Sequence, residues 1–387
     1  MSDVSDALII GVVIIARLGL PLLIPKFPLP AILACLIVDG VDQTIFQQFT
    51  SADLTGYQSY DKALDIYYLT IAYLATMRNW TNLSAFRVSR FLFFYRLVGV
   101  VIFEFSQVRA ILMIFPNTFE YFFIFYEAVR ARWNPLRMTT GFVVASTAFI
   151  WIFIKLPQEY WIHIAQLDTT DLLKEEVFGV SASSSWSTAV ANRPLVLVAA
   201  LLVVVGLAFL FRWVVQTKLP PADYGLRLAA EPLPPEIDEP SERMAYRVRS
   251  GRVLDLTLLE KIVIISLVST VFAQILPGVT ASPLQVTIGV AVLVGANAVV
   301  SLWAARRGRS IGATGLAFLA LATVNCALVI VANWALDLGS GDIQIGNTLF
   351  FILLLTLIVT LYDRFQPVYR VRFSPAGASS PTEESAA

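Results

Sequence analysis

The sequence predicts an all-α fold, that of a polytopic helical membrane protein with about eleven transmembrane helices, its N-terminus outside and its C-terminus cytoplasmic. Three observations predict it. Hydrophobic residues make up 57% of the chain and charged residues only 14%, where a soluble chain carries roughly 25% charged residues. Apolar runs recur at the length of about 20 residues that crosses a bilayer. Lys and Arg gather in alternate connecting segments, the distribution that orients spans.

In chain order the candidate spans are roughly 7–24, 29–48, 63–78, 91–108, 110–129, 138–156, 194–214, 258–277, 284–304, 311–335 and 344–362. The tail Met1–Asp6 carries two aspartates and no basic residue, so the first run reads as a retained helix rather than a signal peptide. In the second run only Leu29–Val38 is purely apolar. Ten residues rise about 15 Å, so this run either continues through Asp39-Gly40-Val41-Asp42 or is a re-entrant half-helix. The fifth run contains Phe115-Pro116-Asn117. Proline removes a helical hydrogen bond, which predicts a kink and a freed carbonyl near Asn117 and Glu120 that lines a cavity. After the sixth run, Pro157 is expected to separate off an interfacial helix bearing Tyr160 and Trp161. The stretches Leu195–Phe211, Val286–Ala305, Ile311–Leu336 and Ile343–Tyr362 contain no charge at all.

Orientation follows from Arg78, Arg87 and Arg90, then Arg130, Arg132 and Arg137, the basic residues of 218–252, Arg306-Arg307-Gly308-Arg309, and Arg364, Arg370 and Arg372. All fall in connections expected to be cytoplasmic. Four regions emerge. Residues 1–180 form a charged six-helix membrane block. Residues 181–257 hold the seventh helix and a Pro-rich cytoplasmic linker, expected to be extended and mobile. Residues 258–363 form a bland four-helix block, and 364–387 a basic, then disordered, cytoplasmic tail. The expected location is the cell membrane, with multiple passes.

Composition excludes several functions. Net charge is zero, so no attraction to nucleic acid is implied. The two cysteines, Cys35 and Cys326, lie inside apolar runs, and His163 is the only histidine. There is no P-loop, dinucleotide fingerprint or nucleophile elbow. No internal repeat is evident, which disfavours an inverted-repeat transporter. Asn79-Trp80-Thr81 and Asn82-Leu83-Ser84 match glycosylation sequons but fall in an expected cytoplasmic loop.

The charged residues inside apolar runs point to a site. An ionisable group in a bilayer costs about 2.5–3.5 kcal/mol on insertion scales, so it ordinarily marks function or a buried pair. The intramembrane charges are Arg17, Arg96, Glu104 and Glu120, with Asp39. Arg17 and Asp39 fall near the bilayer centre by helical rise, which predicts an ion pair; Arg96 and Glu120 suggest a second. A separate acidic layer is expected at the outer face. It comprises Asp39, Asp42, Asp53 and the pair Asp61 and Asp65, which share a helix face at i, i+4. Oxygen-rich clusters suit a divalent metal such as Mg²⁺, which commonly also grips a phosphate. Glu159 and His163, again i, i+4, are expected on the same face, followed by Asp168, Asp171, Glu175 and Glu176. His163 is the residue whose ordinary pKa, near 6.5, suits acid–base work.

The sequence Asp39-x2-Asp42, Gly56, Asp61-x3-Asp65 resembles the aspartate motif of CDP-alcohol phosphotransferases. The resemblance implies aspartates that bind divalent metal and a nucleotide diphosphate, one of them a catalytic base. It covers about 27 residues, and the chain departs from it. Gln43 stands where the family has Gly, Phe46-Gln47 where it has Ala-Arg, and one extra residue separates Gly56 from Asp61. The family works on cytoplasmic nucleotides, whereas Asp61 is expected outside. The chain is not assigned to the family on this basis.

The resulting expectation is a membrane-embedded, carboxylate- and metal-dependent enzyme acting on a lipid or lipid-linked substrate. Asp39, Asp42, Asp61 and Asp65 would hold metal, and His163 and Glu159 would handle protons. The alternatives are a proton- or ion-coupled transporter, built on the intramembrane charges, and a non-catalytic assembly subunit in which those charges only pack.

Overall fold

Prolines fold the start of the chain into a helical hairpin. Helix α1 (Asp3–Gly19) runs into a short 3-10 turn, Leu20–Leu23, with Pro21 in its first turn, and α2 (Pro28–Phe49) begins on Pro28. Proline is tolerated at these first-turn positions because the N–H it lacks has no helical partner there. The hairpin is closed at its far end, where the Asp6 carboxylate accepts the Ser51 backbone N–H at 3.0 Å and the Ser51 hydroxyl. Helix α2 is continuous through Asp39 and Asp42, which settles the alternative of a half-helix.

These helices come from a computed structural model, which describes residues 3–51, 57–167, 169–234, 237, 256–275, 283–306, 318–327 and 345–373. Asp53, Gly56, Asp168, Arg307 and Arg309 lie outside the described residues. The described residues form helices, turns and coil, with no strand among them. Six of the described helices are long and apolar enough to cross a membrane: Ser5–Leu23, Pro28–Phe49, Thr140–Ile164, Leu195–Thr217, Leu256–Ala273 and Leu349–Phe373.

Helix α3 (Tyr57–Asn79) is the axis of the fold. From Ala63 to Ala75 every residue is buried, the signature of a helix surrounded by others. Helix α4 (Leu83–Ser106) starts at Asn82, whose side chain accepts the Ala85 N–H at 3.0 Å and so caps the helix. Around this pair pack α5 (Ala110–Ile114), α6 (Thr118–Arg130), α7 (Thr140–Ile164), α10 (Leu256–Ile275) and α13 (Ile345–Phe373). Further helices are α8 (Trp186–Asn192), α9 (Leu195–Thr217), α11 (Pro283–Arg306) and α12 (Phe318–Ala327), with a short helical segment, Thr169–Val177, before α8. Helix α9 buries none of its residues.

The late helices dock on the early ones through rings and charges. Phe86 of α4 stacks on Tyr369 of α13 with centroids 4.4 Å apart. Tyr73 donates its hydroxyl to Glu260 at 2.5 Å, Arg90 reaches the same carboxylate at 3.1 Å, and Lys261 pairs with Asp363 at 2.8 Å.

The described part of the Pro-rich linker is extended, as expected, but it is tied down rather than mobile. Residues 220–231 run as a strap across one end of the helices. Asp223 N–H donates to Arg132 O at 3.0 Å, Arg227 N–H to Ala131 O at 2.9 Å and Ala230 N–H to Lys26 O at 2.8 Å. Arg137 pairs with Asp223 at 2.6 Å, and Glu231 N–H donates to the Asn79 side chain at 3.2 Å. The strap therefore gathers the turns after α1, α3 and α6 at one end. Both sequon asparagines are interior: Asn79 also donates to Pro25 O at 3.3 Å, and Asn82 to Pro135 O and Met138 O at 2.9 Å each. Asn82→Ala should lower stability by about 1–2 kcal/mol through the lost cap, read as a lower melting temperature in detergent; an unchanged melting temperature would contradict this role.

Candidate functional site

Helix packing brings the predicted aspartates together around one arginine. Arg17 lies eleven residues after Asp6, and Asp39 lies twelve before Ser51. From the Asp6–Ser51 closure these counts correspond to rises of about 16 and 18 Å, so the hairpin itself places the two at one level. Asp61 and Asp65 enter from one face of α3. Arg17 Nη2 is 2.6 Å from Asp39 Oδ1 and 3.2 Å from Asp65 Oδ1; its Nη1 contacts Asp42 and lies 3.3 Å from Asp61 Oδ1. Lys62 adds contacts to Asp61 at 2.7 Å and Asp65 at 3.4 Å. Arg17, Asp42, Lys62 and Asp65 are all buried. The expected Arg17–Asp39 pair forms, as one arm of a six-residue arrangement.

Four carboxylates face two cations, leaving a formal charge of −2. Asp39, Asp61 and Asp65 each offer an oxygen within 4.8 Å of the others. Oxygens bound to Mg²⁺ at about 2.1 Å are at most about 4.2 Å apart, so small side-chain shifts suffice for this trio to fit the ion. Asp42 stands outside the trio and is held on Arg17.

The second cluster sits on α7. This helix begins as α-helix (Thr140–Phe149), widens to π-helix (Ile150–Lys155), returns to α (Leu156–Glu159) and widens again (Tyr160–Ile164). Helix α7 thus continues through Pro157, and the expected separate interfacial helix is part of it. Pro157 sits in the short α segment between the two π stretches, where the hydrogen-bond register already changes. As a result Glu159 and His163 point inward. His163 Nε2 lies 3.0 Å from Glu159 Oε2, and Lys155 Nζ lies 3.6 Å from Glu159 Oε1. All three are at least 96% buried.

The predicted proline kink is a full break. Helix α5 ends at Ile114 and α6 starts at Thr118. Arg96 donates to the Phe115 carbonyl at 2.9 Å, and the Asn117 backbone N–H donates to Glu159 at 3.0 Å. Glu120 accepts the Tyr68 hydroxyl at 2.6 Å and the Asn117 side-chain N–H at 2.9 Å. The expected Arg96–Glu120 ion pair does not form, because the broken backbone and Tyr68 supply each group with a different partner. Glu104 is buried about 12 Å further along α4 than Arg96.

Asp42, Asp61 and Asp65, expected in an outer layer, lie level with the midplane charges Arg17 and Asp39, whereas Glu104 and His163 lie further along their helices. Asp65, Asn117 and Lys155 lie thirteen to fifteen residues from Asn79, Arg130 and Thr140, which end or begin their helices beside the strap. Each is therefore about 20–22 Å from that end. Lys62, Tyr68 and Lys155 also belong to this layer and were not anticipated. Lys155-x3-Glu159-x3-His163 is a one-face spacing that Pro157 masked.

No protein-family model, curated protein or solved structure matches the chain.

Arg17→Ala would leave four carboxylates, Asp42 and Asp65 buried and Asp39 and Asp61 half-buried, facing Lys62 alone. Removing one partner of a buried pair costs about 3–5 kcal/mol, so its melting temperature should fall sharply. Added Mg²⁺ should restore part of the loss, because a ligand bound only by the folded state stabilises it. An Arg17→Ala protein as stable as the parent would contradict this arrangement.

Proposed function

We propose that this protein is a membrane-embedded, carboxylate- and metal-dependent enzyme acting on a lipid or lipid-linked substrate. The observation that carries this reading is the Asp39, Asp61 and Asp65 trio, with oxygens within 4.8 Å of one another, Asp39 on the bilayer-length helix α2 and the other two on α3. Asp39, Asp61 and Asp65 hold Mg²⁺. When bound, the ion supplies Lewis-acid polarisation of a phosphoryl oxygen. Arg17 orients the carboxylates and offsets their mutual repulsion, with Asp42 fixing the guanidinium. Lys62 holds Asp61 and Asp65 from the other side. His163, oriented by Glu159, carries the proton at Nε2. Carboxylate-held Mg²⁺ commonly grips phosphate, and the Asp39–Asp65 spacing resembles that of a phosphotransferase family. Both support transfer or hydrolysis at a phosphate-bearing lipid.

The same reading includes about eleven spans in the cell membrane, with the N-terminus outside and the strap cytoplasmic. The strap supports this orientation by joining the turns after α1, α3 and α6, which sequence places on one side. The bilayer and its lipids are then the partners.

A second reading, an ion-coupled transporter, is supported by the break between α5 and α6 beside the buried Glu120. The two readings separate experimentally. Asp61→Asn and Asp65→Asn should each weaken Mg²⁺ binding roughly 100-fold, read by calorimetry, and abolish phosphate release from lipid substrates. Unchanged Mg²⁺ binding in both variants would overturn the enzyme reading. Solute uptake into proteoliposomes that follows an imposed proton or sodium gradient would favour the transporter.

A further inference from the structure

An apolar groove is open on the lipid-facing surface, and one of its lining residues, Tyr121, carries a buried cation against its ring. It lies between α6 and α7, encloses about 560 Å³ and is lined by residues that include Tyr121, Phe125, Phe142, Ala145, Phe149 and Ile154. This volume is in the range of small-molecule sites. Along α7 the lining runs from Phe142 to Ile154, about 18 Å. That is slightly more than half of a hydrocarbon core about 30 Å thick, so the groove has the length of one lipid chain. Phe142, Phe149 and Ile154 are exposed on its rim, so a chain can enter sideways from the bilayer.

A cation lies behind the groove wall, against the ring of Tyr121. Lys155 follows Ile154 and is buried, with Nζ 4.4 Å from the Tyr121 ring centroid and 3.0 Å from Gln158 Oε1. Beyond it lies the break between α5 and α6. Three buried polar atoms there have no hydrogen-bond partner among the described residues: Arg96 Nε, Asn117 Oδ1 and Thr118 Oγ1. Leaving a buried polar group unsatisfied costs about 1–3 kcal/mol. A donor, an acceptor and a hydroxyl left over at one backbone break, two of them beside each other in sequence, call for a polar ligand.

We propose that the groove and the break together bind one phosphate-bearing lipid, with a chain along α6 and α7, its phosphate at Lys155 and Arg96, and headgroup hydroxyls at Asn117 and Thr118. This deepens the proposed enzyme by naming its substrate class, and rests on that reading for the fate of the lipid but not for its binding. The occupant is a lipid rather than free phosphate because Tyr121, which lines the apolar groove, also packs against the Lys155 ammonium. The geometry also places the bound head in the layer that holds Asp65, one helix away from the carboxylate trio.

The test is lipid retention by the full chain in phosphatidylcholine nanodiscs, read by native mass spectrometry after release into detergent. The probes are phosphatidylglycerol, which has a phosphate and free hydroxyls, phosphatidic acid, which lacks the hydroxyls, and phosphatidylcholine. One phosphatidylglycerol should be retained, preferred about tenfold over phosphatidylcholine, equivalent to about 1.4 kcal/mol. Lys155→Gln should remove that preference, and Asn117→Ala should remove the preference for phosphatidylglycerol over phosphatidic acid. Ala145→Trp, which fills the groove, should abolish retention; Ala145→Leu serves if the tryptophan variant does not fold. Chelating divalent metal from the parent protein should leave lipid retention unchanged, so a failed metal reading and a failed lipid site give different results. Equal retention of all three lipids by the parent, undiminished preference in Lys155→Gln, or displacement of the lipid by inorganic phosphate would overturn the proposal.

Discussion

The buried guanidinium of Arg17 is the interaction on which the rest of this structure depends. It contacts Asp39, Asp42, Asp61 and Asp65 at once and so ties α1, α2 and α3 together at one level. A single arginine does this because its planar fork presents donors in several directions and stays charged when buried. Lysine would offer one point charge. The cluster is under-compensated even with Lys62, and the proposed divalent cation would offset that imbalance.

The constraint extends outward from the hairpin. The Asp6–Ser51 closure fixes the register of α1 against α2, and the strap fixes the opposite end through Lys26, Asn79 and Ala131. Between these ends the polar groups of α3, α6 and α7 meet in one layer. The break between α5 and α6 and the π turns of α7 are the backbone irregularities that let them do so. Irregular backbone at such depth is tolerable where protein groups take up the freed hydrogen bonds, and Arg96 and Glu159 do this at Phe115 and Asn117. Structure and candidate chemistry therefore use the same residues.

Much of this was legible in the sequence, and the parts that were not share a cause. The helical class follows from composition, and the Arg17–Asp39 pair follows from helical rise alone. The kink at Pro116 was legible because proline has a local effect. On α7 the Glu159–His163 pair was legible from its spacing, but Lys155 was not, because Pro157 suggests an end to the helix while π-helical hydrogen bonding carries it on. Depth was also misjudged. Asp61 and Asp65 open α3 in sequence, yet α3 begins well inside the layer that α1 and α2 span, so residues expected at the surface lie beside Arg17. Periodicity identifies which residues share a face, whereas the vertical offset between helices is set by tertiary contacts such as the Asp6–Ser51 closure.

The central claim is that Arg17 organises a divalent-cation site from three aspartates and keeps Asp42 as its own counter-ion. The most direct measurement is a crystal structure grown with Mn²⁺ and read by anomalous scattering. The account predicts one peak about 2.1–2.2 Å from oxygens of Asp39, Asp61 and Asp65, with Arg17 still on Asp42. Absence of a peak at saturating Mn²⁺, or a metal on Asp42 with Arg17 displaced, would contradict it.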